Sequence, residues 1–160
     1  MFRRAAALAA LGIGAILGGT IIAYGQNQDA ISQRREVMKN IATAGSAPFK
    51  MTKGEEPFDL AKVQAAMKTY RGEAAKLKDL FPENSKTGDT DASPKIWSAR
   101  AEFNAAIDTF ISTAKAAADA IKDETTFKVE YPKVVRSCGG CHKDADGFSP
   151  RLADSLKKLK

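Results

Sequence analysis

An all-α fold, an antiparallel up-down-up-down four-helix bundle, is what the sequence predicts, and three observations predict it. The 160-residue chain is rich in Ala, Lys, Glu and Leu beyond its first 25 residues and has almost no β-branched runs there, a composition of helix formers. Apolar residues recur at helical spacing in four stretches. Glycine and proline punctuate the intervals between them, and links this short join antiparallel neighbours.

Residues 1–25 read as a secretory leader. Met1 begins a short start carrying Arg3 and Arg4, and an uncharged run of apolar and small residues spans 5–23. Ala23-Tyr24-Gly25 then forms a small-x-small processing site before Gln26. The run exceeds the ~7–15 residues of a usual signal core and approaches the ~20 needed to span a bilayer. An uncleaved inner-membrane anchor is therefore the alternative, and membrane association is expected only in that case. Either route delivers the globular part outside the cytoplasm, to the periplasm in a bacterium.

Without the leader, 23 basic residues face 19 acidic ones, a net charge of +4. The balance is mild and mixed in sign, which serves solubility and not nucleic-acid binding, and no basic-aromatic pattern of a nucleic-acid reader is present. The remaining 135 residues suffice for one domain with a single core. A helical domain is expected over 26–146 and a C-terminal extension over 147–160.

The first helix is expected over 29–44, with Ile31, Met38 and Ile41 on its apolar face beside Ala30, Val37 and Ala44, and with Gly45 and Pro48 ending it. A second begins after Asp59, a suitable N-cap, and buries Leu60, Val63, Met67, Tyr70, Ala74, Leu77 and Phe81 before Pro82 closes it. Residues 83–93 are polar and read as a surface loop. Ser93-Pro94 opens a long third helix whose stripe runs from Ile96 and Trp97 through Phe103, Ile107, Phe110, Ile111 and Ala114 to Ile121. Its last turn is read over 123–126. The fourth helix is expected from Thr126 or Phe127 to about Ala145, with Pro132 either kinking it or marking the start of its regular part.

Within that fourth stretch lies the pentad Cys138-Gly139-Gly140-Cys141-His142, which holds both cysteines and the one histidine of the chain. C-x-x-C-H is the pattern of covalent c-type haem attachment. Two soft nucleophiles at this spacing suit thioether bonds to the haem vinyl groups, and the adjacent imidazole suits the iron. Gly139 and Gly140 let the porphyrin edge lie close to the backbone. One haem c per chain follows, attached through Cys138 and Cys141 and ligated by His142. A haem-free C-x-x-C thiol oxidoreductase is the competing reading.

The late position of the pentad in a four-helix chain resembles the cytochrome c′ family, the class II c-type cytochromes. The link Lys53-Gly54-Glu55-Glu56-Pro57-Phe58-Asp59 is similar to the family's entry into helix two, and Ser93-Pro94-Lys95-Ile96-Trp97 followed by Phe103 to its entry into helix three. The resemblance covers roughly 29–143. It implies a haem on the last helix and a sixth iron position facing the first helix. Usual members leave that position open behind a bulky apolar residue, whereas a low-spin branch fills it with methionine. Aligning Arg34 with the family's helix-one arginine puts Met38 there. The residues agree: outside the leader only Met38, Met51 and Met67 supply thioethers, Met51 falls in the inter-helix link, and Met67 fits the core stripe of helix two. Met38 is the expected sixth ligand, with simple core packing as its alternative.

By the same resemblance Arg34 pairs with a haem propionate, Arg35 being the competing candidate. Trp97, Phe58 and Phe81 are expected to pack in the core or on the haem wall. The chain departs from the family pattern by continuing past Asp146-Gly147 into a segment where Leu152, Leu156 and Leu159 recur at helical spacing among basic residues. That segment is either an amphipathic helix that docks on the bundle or an acidic partner, or a solvated tail. The function implied is one-electron transfer to redox partner proteins, without catalytic residues. The alternative is a five-coordinate iron that binds nitric oxide or carbon monoxide. Family members often pair through their first two helices, so a homodimer is also implied.

Overall fold

The computed structural model describes residues 17–142 and 147–149, with side chains described from residue 28 onward. The start of the leader and most of the C-terminal extension lie outside the described residues. Helix α1 covers Leu17–Thr52, α2 Leu60–Lys76, α3 Lys95–Ser98, α4 Arg100–Ala120 and α5 Glu124–Cys138. Helix α2 packs against both α1 and α4, and α4 against α5. With α3 as a short lead-in to α4, the architecture is the expected four-helix bundle. No strand occurs among the described residues.

Helix α1 differs most from expectation. It has no start at Asp29 and does not stop at Gly45 or Pro48; both lie inside it. Proline inside a helix forfeits a hydrogen bond, but Pro48 is fully buried, and packing offsets that loss. Gly45 is required by its neighbour: a Cβ there would stand 2.5 Å from Tyr70 Oη. The true stop is Gly54, whose φ of +73° suits glycine. Around it the amide of Glu55 donates to the Lys50 carbonyl at 2.9 Å and that of Gly54 to Met51 at 3.1 Å, which is the Schellman arrangement. Met51 therefore sits in the last turn of α1, 6 % exposed, and not in a link.

Asp59 does cap α2, its Oδ1 accepting from the Lys62 amide at 3.0 Å. The third stretch is two helices instead of one. Ala99 breaks it with φ −125° and ψ 49°. The break lets Trp97 Nε1 donate to the Pro82 carbonyl at 3.1 Å and Arg100 to the Phe81 carbonyl, so both fasten the end of the α2 segment. Periodicity alone could not register those two tethers. Helix α4 ends at Ala120, and residues 123–126 belong to the next helix. There Asp123 forms a capping box: its carboxylate accepts from the Thr126 amide at 2.8 Å, and Thr126 Oγ1 accepts from the Asp123 amide at 3.1 Å. Pro132 lies inside α5, which ends at Cys138 and not near Ala145.

The core runs along the bundle axis through Val63, Met67, Ile107, Ala114, Ile121, Phe127 and Val134, each at most 1 % exposed. Burying a side chain of the Val, Ile, Met or Phe class stabilises by about 1.5–3 kcal/mol. Phe58 packs on Phe127 with ring centroids 5.5 Å apart, and Tyr70 Oη meets Tyr131 Oη at 3.3 Å across α2 and α5.

Helix propensity alone favours alanine over an interior glycine by about 1 kcal/mol. Gly45→Ala is nevertheless expected to destabilise the protein by about 1–3 kcal/mol in denaturant titration, because Tyr70 Oη occupies the space. Adding Tyr70→Phe should recover most of that loss. Asp123→Ala should lose about 1 kcal/mol through the cap of α5.

Candidate functional site

The end of α5 presents the pentad in a tightened turn. Amides of Gly139, Gly140 and Cys141 donate to the carbonyls of Arg136, Ser137 and Cys138 at 3.0, 3.0 and 3.2 Å, and His142 also donates to Cys138 at 3.0 Å. A Cβ at Gly139 would press on the Arg136 carbonyl at 3.1 Å, and one at Gly140 on the Ser137 carbonyl at 3.2 Å. The two glycines thus let the turn close against its own backbone. Cys138 ends the helix, and Cys141 and His142 follow on the turn, all three half-buried.

Cys141 and His142 open onto a cavity of about 340 Å³, within the range of ligand pockets. Met38 of α1 lines the same cavity, with Leu77, Phe81, Phe103 and Phe148 among its apolar walls. Met51 and Met67 belong to the core cluster instead. Of the three aromatic residues singled out from the sequence, Phe81 is a cavity wall, Phe58 packs half-buried against the core, and Trp97 braces the corner after α2.

Before haem is attached, burial pushes the thiols of both Cys138 and Cys141 up to about 11. A raised thiol pKa is the opposite of the depression that activates a redox C-x-x-C. Burial also lowers the pKa of His142, favouring neutral imidazole. Its Nδ1 lies 3.0 Å from the Ser149 carbonyl, an acceptor only, so Nδ1 carries the proton and Nε2 keeps its lone pair. Cys141, the imidazole with its free Nε2, the Met38 thioether and apolar walls share the cavity, while Cys138, at the end of α5, packs against the core outside its lining. Together they are a donor set that fits a c-type haem.

Arg34 lies one turn before Met38 and also lines the cavity, yet only 6 % of it is exposed. Its Nη1 donates to Ser85 Oγ at 3.1 Å and the Leu80 carbonyl at 3.3 Å. Its Nη2 donates to Thr90 Oγ1 at 2.7 Å and the Ser85 carbonyl at 3.2 Å. The guanidinium stacks 4.7 Å above the Phe81 ring. None of these partners is a carboxylate; burial and neighbouring Arg35 lower its pKa. Arg35 pairs with Asp89 Oδ2 at 2.8 Å and is the more exposed of the two arginines.

Three contributors escaped the sequence reading. Ser85, fully buried, sits in what reads as a polar loop, and nothing in that stretch distinguishes it from its exposed neighbours. Phe148 and Ser149, expected to open a separate extension, instead pack on the site: Phe148 is 6 % exposed and Ser149 contacts His142. The signal available was an apolar Phe148 just after a glycine, followed by proline.

Residues 29–144 match the family described as Cytochrome C′. The chain is 38 % identical over 132 residues to a cytochrome c′ of Rhodopseudomonas palustris, covering 82 % of this chain and 90 % of that protein. It is 33 % identical over 122 residues to a cytochrome c-556 of the same organism, covering 73 % and 82 %. Among solved structures, cytochrome c′ from R. palustris superposes with a TM-score of 0.70 at 39 % identity, over 72 % of this chain and 94 % of that one. The NMR-validated structural model for oxidized R. palustris cytochrome c556 gives 0.66 at 32 %, over 75 % and 99 %. The pentad, the bundle and these likenesses converge: the chain belongs to the cytochrome c′ family, with covalently bound haem c as its cofactor.

Proposed function

We propose that the protein is a periplasmic one-electron carrier, in which Cys138 and Cys141 would hold the haem through thioethers and His142 and Met38 would ligate its iron. The observation that carries this reading is that Met38 and His142 line one cavity while Met51 and Met67 are core residues. Bound haem c supplies an Fe(III)/Fe(II) couple, and methionine-histidine ligation raises its potential. The protein supplies the rest. His142 presents neutral Nε2, Met38 a soft sulfur, and Leu77, Phe81 and Phe103 exclude water, so little reorganises when an electron moves. No further histidine exists for acid-base work, in keeping with a carrier and not an enzyme.

Arg34 acts in this proposal as a fixed positive charge beside the cavity that favours the propionate carboxylates, since its terminal nitrogens are already committed to residues 80–90. Export through residues 1–25 would put the protein where c-type haem is attached, with processing at Gln26 cutting within α1. Partners are redox proteins that dock transiently by complementary charge.

A second reading is a five-coordinate iron that binds nitric oxide or carbon monoxide, with Met38 only packing. The greater identity to a cytochrome c′ than to a cytochrome c-556 favours it. Optical spectra separate the two. Wild type should be low spin, with the red-end ferric band of an iron-thioether bond, and Met38→Ala should turn high spin with a lower potential. If Met38 holds the iron 99 % of the time, carbon monoxide should bind the variant about a hundredfold more tightly. A high-spin wild type that takes up carbon monoxide at once would sink the carrier reading.

Arg34→Ala should cost about 2–4 kcal/mol in denaturant titration by leaving Ser85 and its neighbours unsatisfied. Arg34→Lys keeps the charge but not the fork, and should recover less than half of that loss.

A further inference from the structure

Five contacts converge on the short segment 147–149, which no part of the bundle's helical pattern requires. Phe148 enters the core edge-on to Phe103, ring centroids 5.2 Å apart. The Phe148 carbonyl accepts from the Ser93 amide at 3.0 Å, joining the segment to the entry of α3. The Ser149 amide donates to the Cys141 carbonyl at 3.0 Å, joining it to the haem pentad. Lys95 Nζ lies 5.4 Å from the centroid of the Phe148 ring on its outer side. In the sequence, Ser149 precedes Pro150, which biases its backbone toward an extended conformation. The result is that the Ser149 carbonyl stands 3.0 Å from His142 Nδ1.

We propose that 147–149 is a strap that positions His142: Phe148 anchors it, and the Ser149 carbonyl accepts the Nδ1 proton, fixing the tautomer and ring orientation that leave Nε2 for iron. This rests on the reading of His142 as an axial ligand. The positioning group is a backbone carbonyl, so its effect depends on the strap's place and not on the serine hydroxyl. A hydrogen bond from Nδ1–H to a carbonyl makes the imidazole the stronger donor to the metal, which favours the ferric state. The strap therefore holds the potential lower than an unsupported His142 would, in opposition to the effect of Met38.

The test uses full-length holoprotein labelled with 15N-histidine, in the ferrous state with Met38 bound or, where that bond is absent, as the carbon monoxide complex. The Nδ1 proton of wild type should exchange slowly. In Phe148→Ala and Ser149→Pro, which remove the anchor and the amide to Cys141, exchange should quicken by roughly tenfold or more, the worth of one hydrogen bond. The potential of both variants should shift upward. Phe148→Leu and Ser149→Ala keep the anchor and the backbone, and should behave as wild type in both measurements. A freely exchanging Nδ1 proton in wild type overturns the proposal, even where neither disruptive variant accumulates. Unchanged exchange and potential in both disruptive variants overturn it equally. Failure of the axial-ligand reading looks different: the His142 ring signals would then lack the large displacement caused by the haem ring current.

Discussion

A guanidinium buried beside an apolar cavity is the arrangement on which the rest of this structure depends. Arg34 surrenders most of its hydration, and that desolvation is costly unless its donors find acceptors. The segment after α2 supplies the acceptors. The 3-10 turns Leu77–Asp79 and Glu83–Ser85 bring the Leu80 carbonyl, both oxygens of Ser85 and the Thr90 hydroxyl around the charge, and Phe81 lies against its face. A stretch that reads as a solvated loop is thereby pinned to α1. Because Phe81 and Thr90 also line the cavity, the same bonds that satisfy the charge hold open one wall of the site.

The site draws on segments far apart in the chain, and each is fixed by an interaction outside it. The α1 side is held by Arg34, the α2 end by Trp97 and Arg100 reaching back to the carbonyls of Pro82 and Phe81, and the pentad by its own closed turn. Soft and neutral donors suit such a setting. Before haem is attached the buried thiols, with a pKa of about 11, are poor thiolates, and the buried imidazole is favoured in its neutral form. Neither adds a charge that the apolar walls would have to accommodate.

Much of this was legible in the sequence because it follows from short-range rules. Asp59 caps α2 as its position indicates, and most of the expected stripe is buried core, from Val63 to Ala74 in α2 and from Phe103 to Ala114 in α4. Leu60, Leu77 and Ile111 are only half-buried, and α2 stops at Lys76, short of Pro82. Cys141, His142 and Met38, 104 positions apart at the extremes, do share one cavity. What was not legible depended on contacts between distant residues. Gly45 and Pro48 carry the chemistry of a helix stop, but Tyr70 needs the glycine and the core covers the proline, so the helix continues to Gly54. The break at Ala99 comes from hydrogen bonds to the end of the α2 segment, which no periodicity encodes. Ser85 is buried because Arg34 comes to it from 51 residues away.

The two faces of the cavity differ in how they are built, and that difference bears on what each can do. Met38 stands on a long helix with a flexible thioether, half-buried and free of any hydrogen bond that would fix it, so its side can yield or engage. His142 stands on a turn closed by backbone bonds, with Ser149 behind its ring and Phe148 wedged into the core. On the proposed ligation, stiffness on the histidine side and adaptability on the methionine side would let a change in ligation fall on Met38. A carrier needs that bond to persist in both oxidation states, whereas a gas binder needs the position left open. On that reading, the choice between the two outcomes rests on whether Met38 engages the iron.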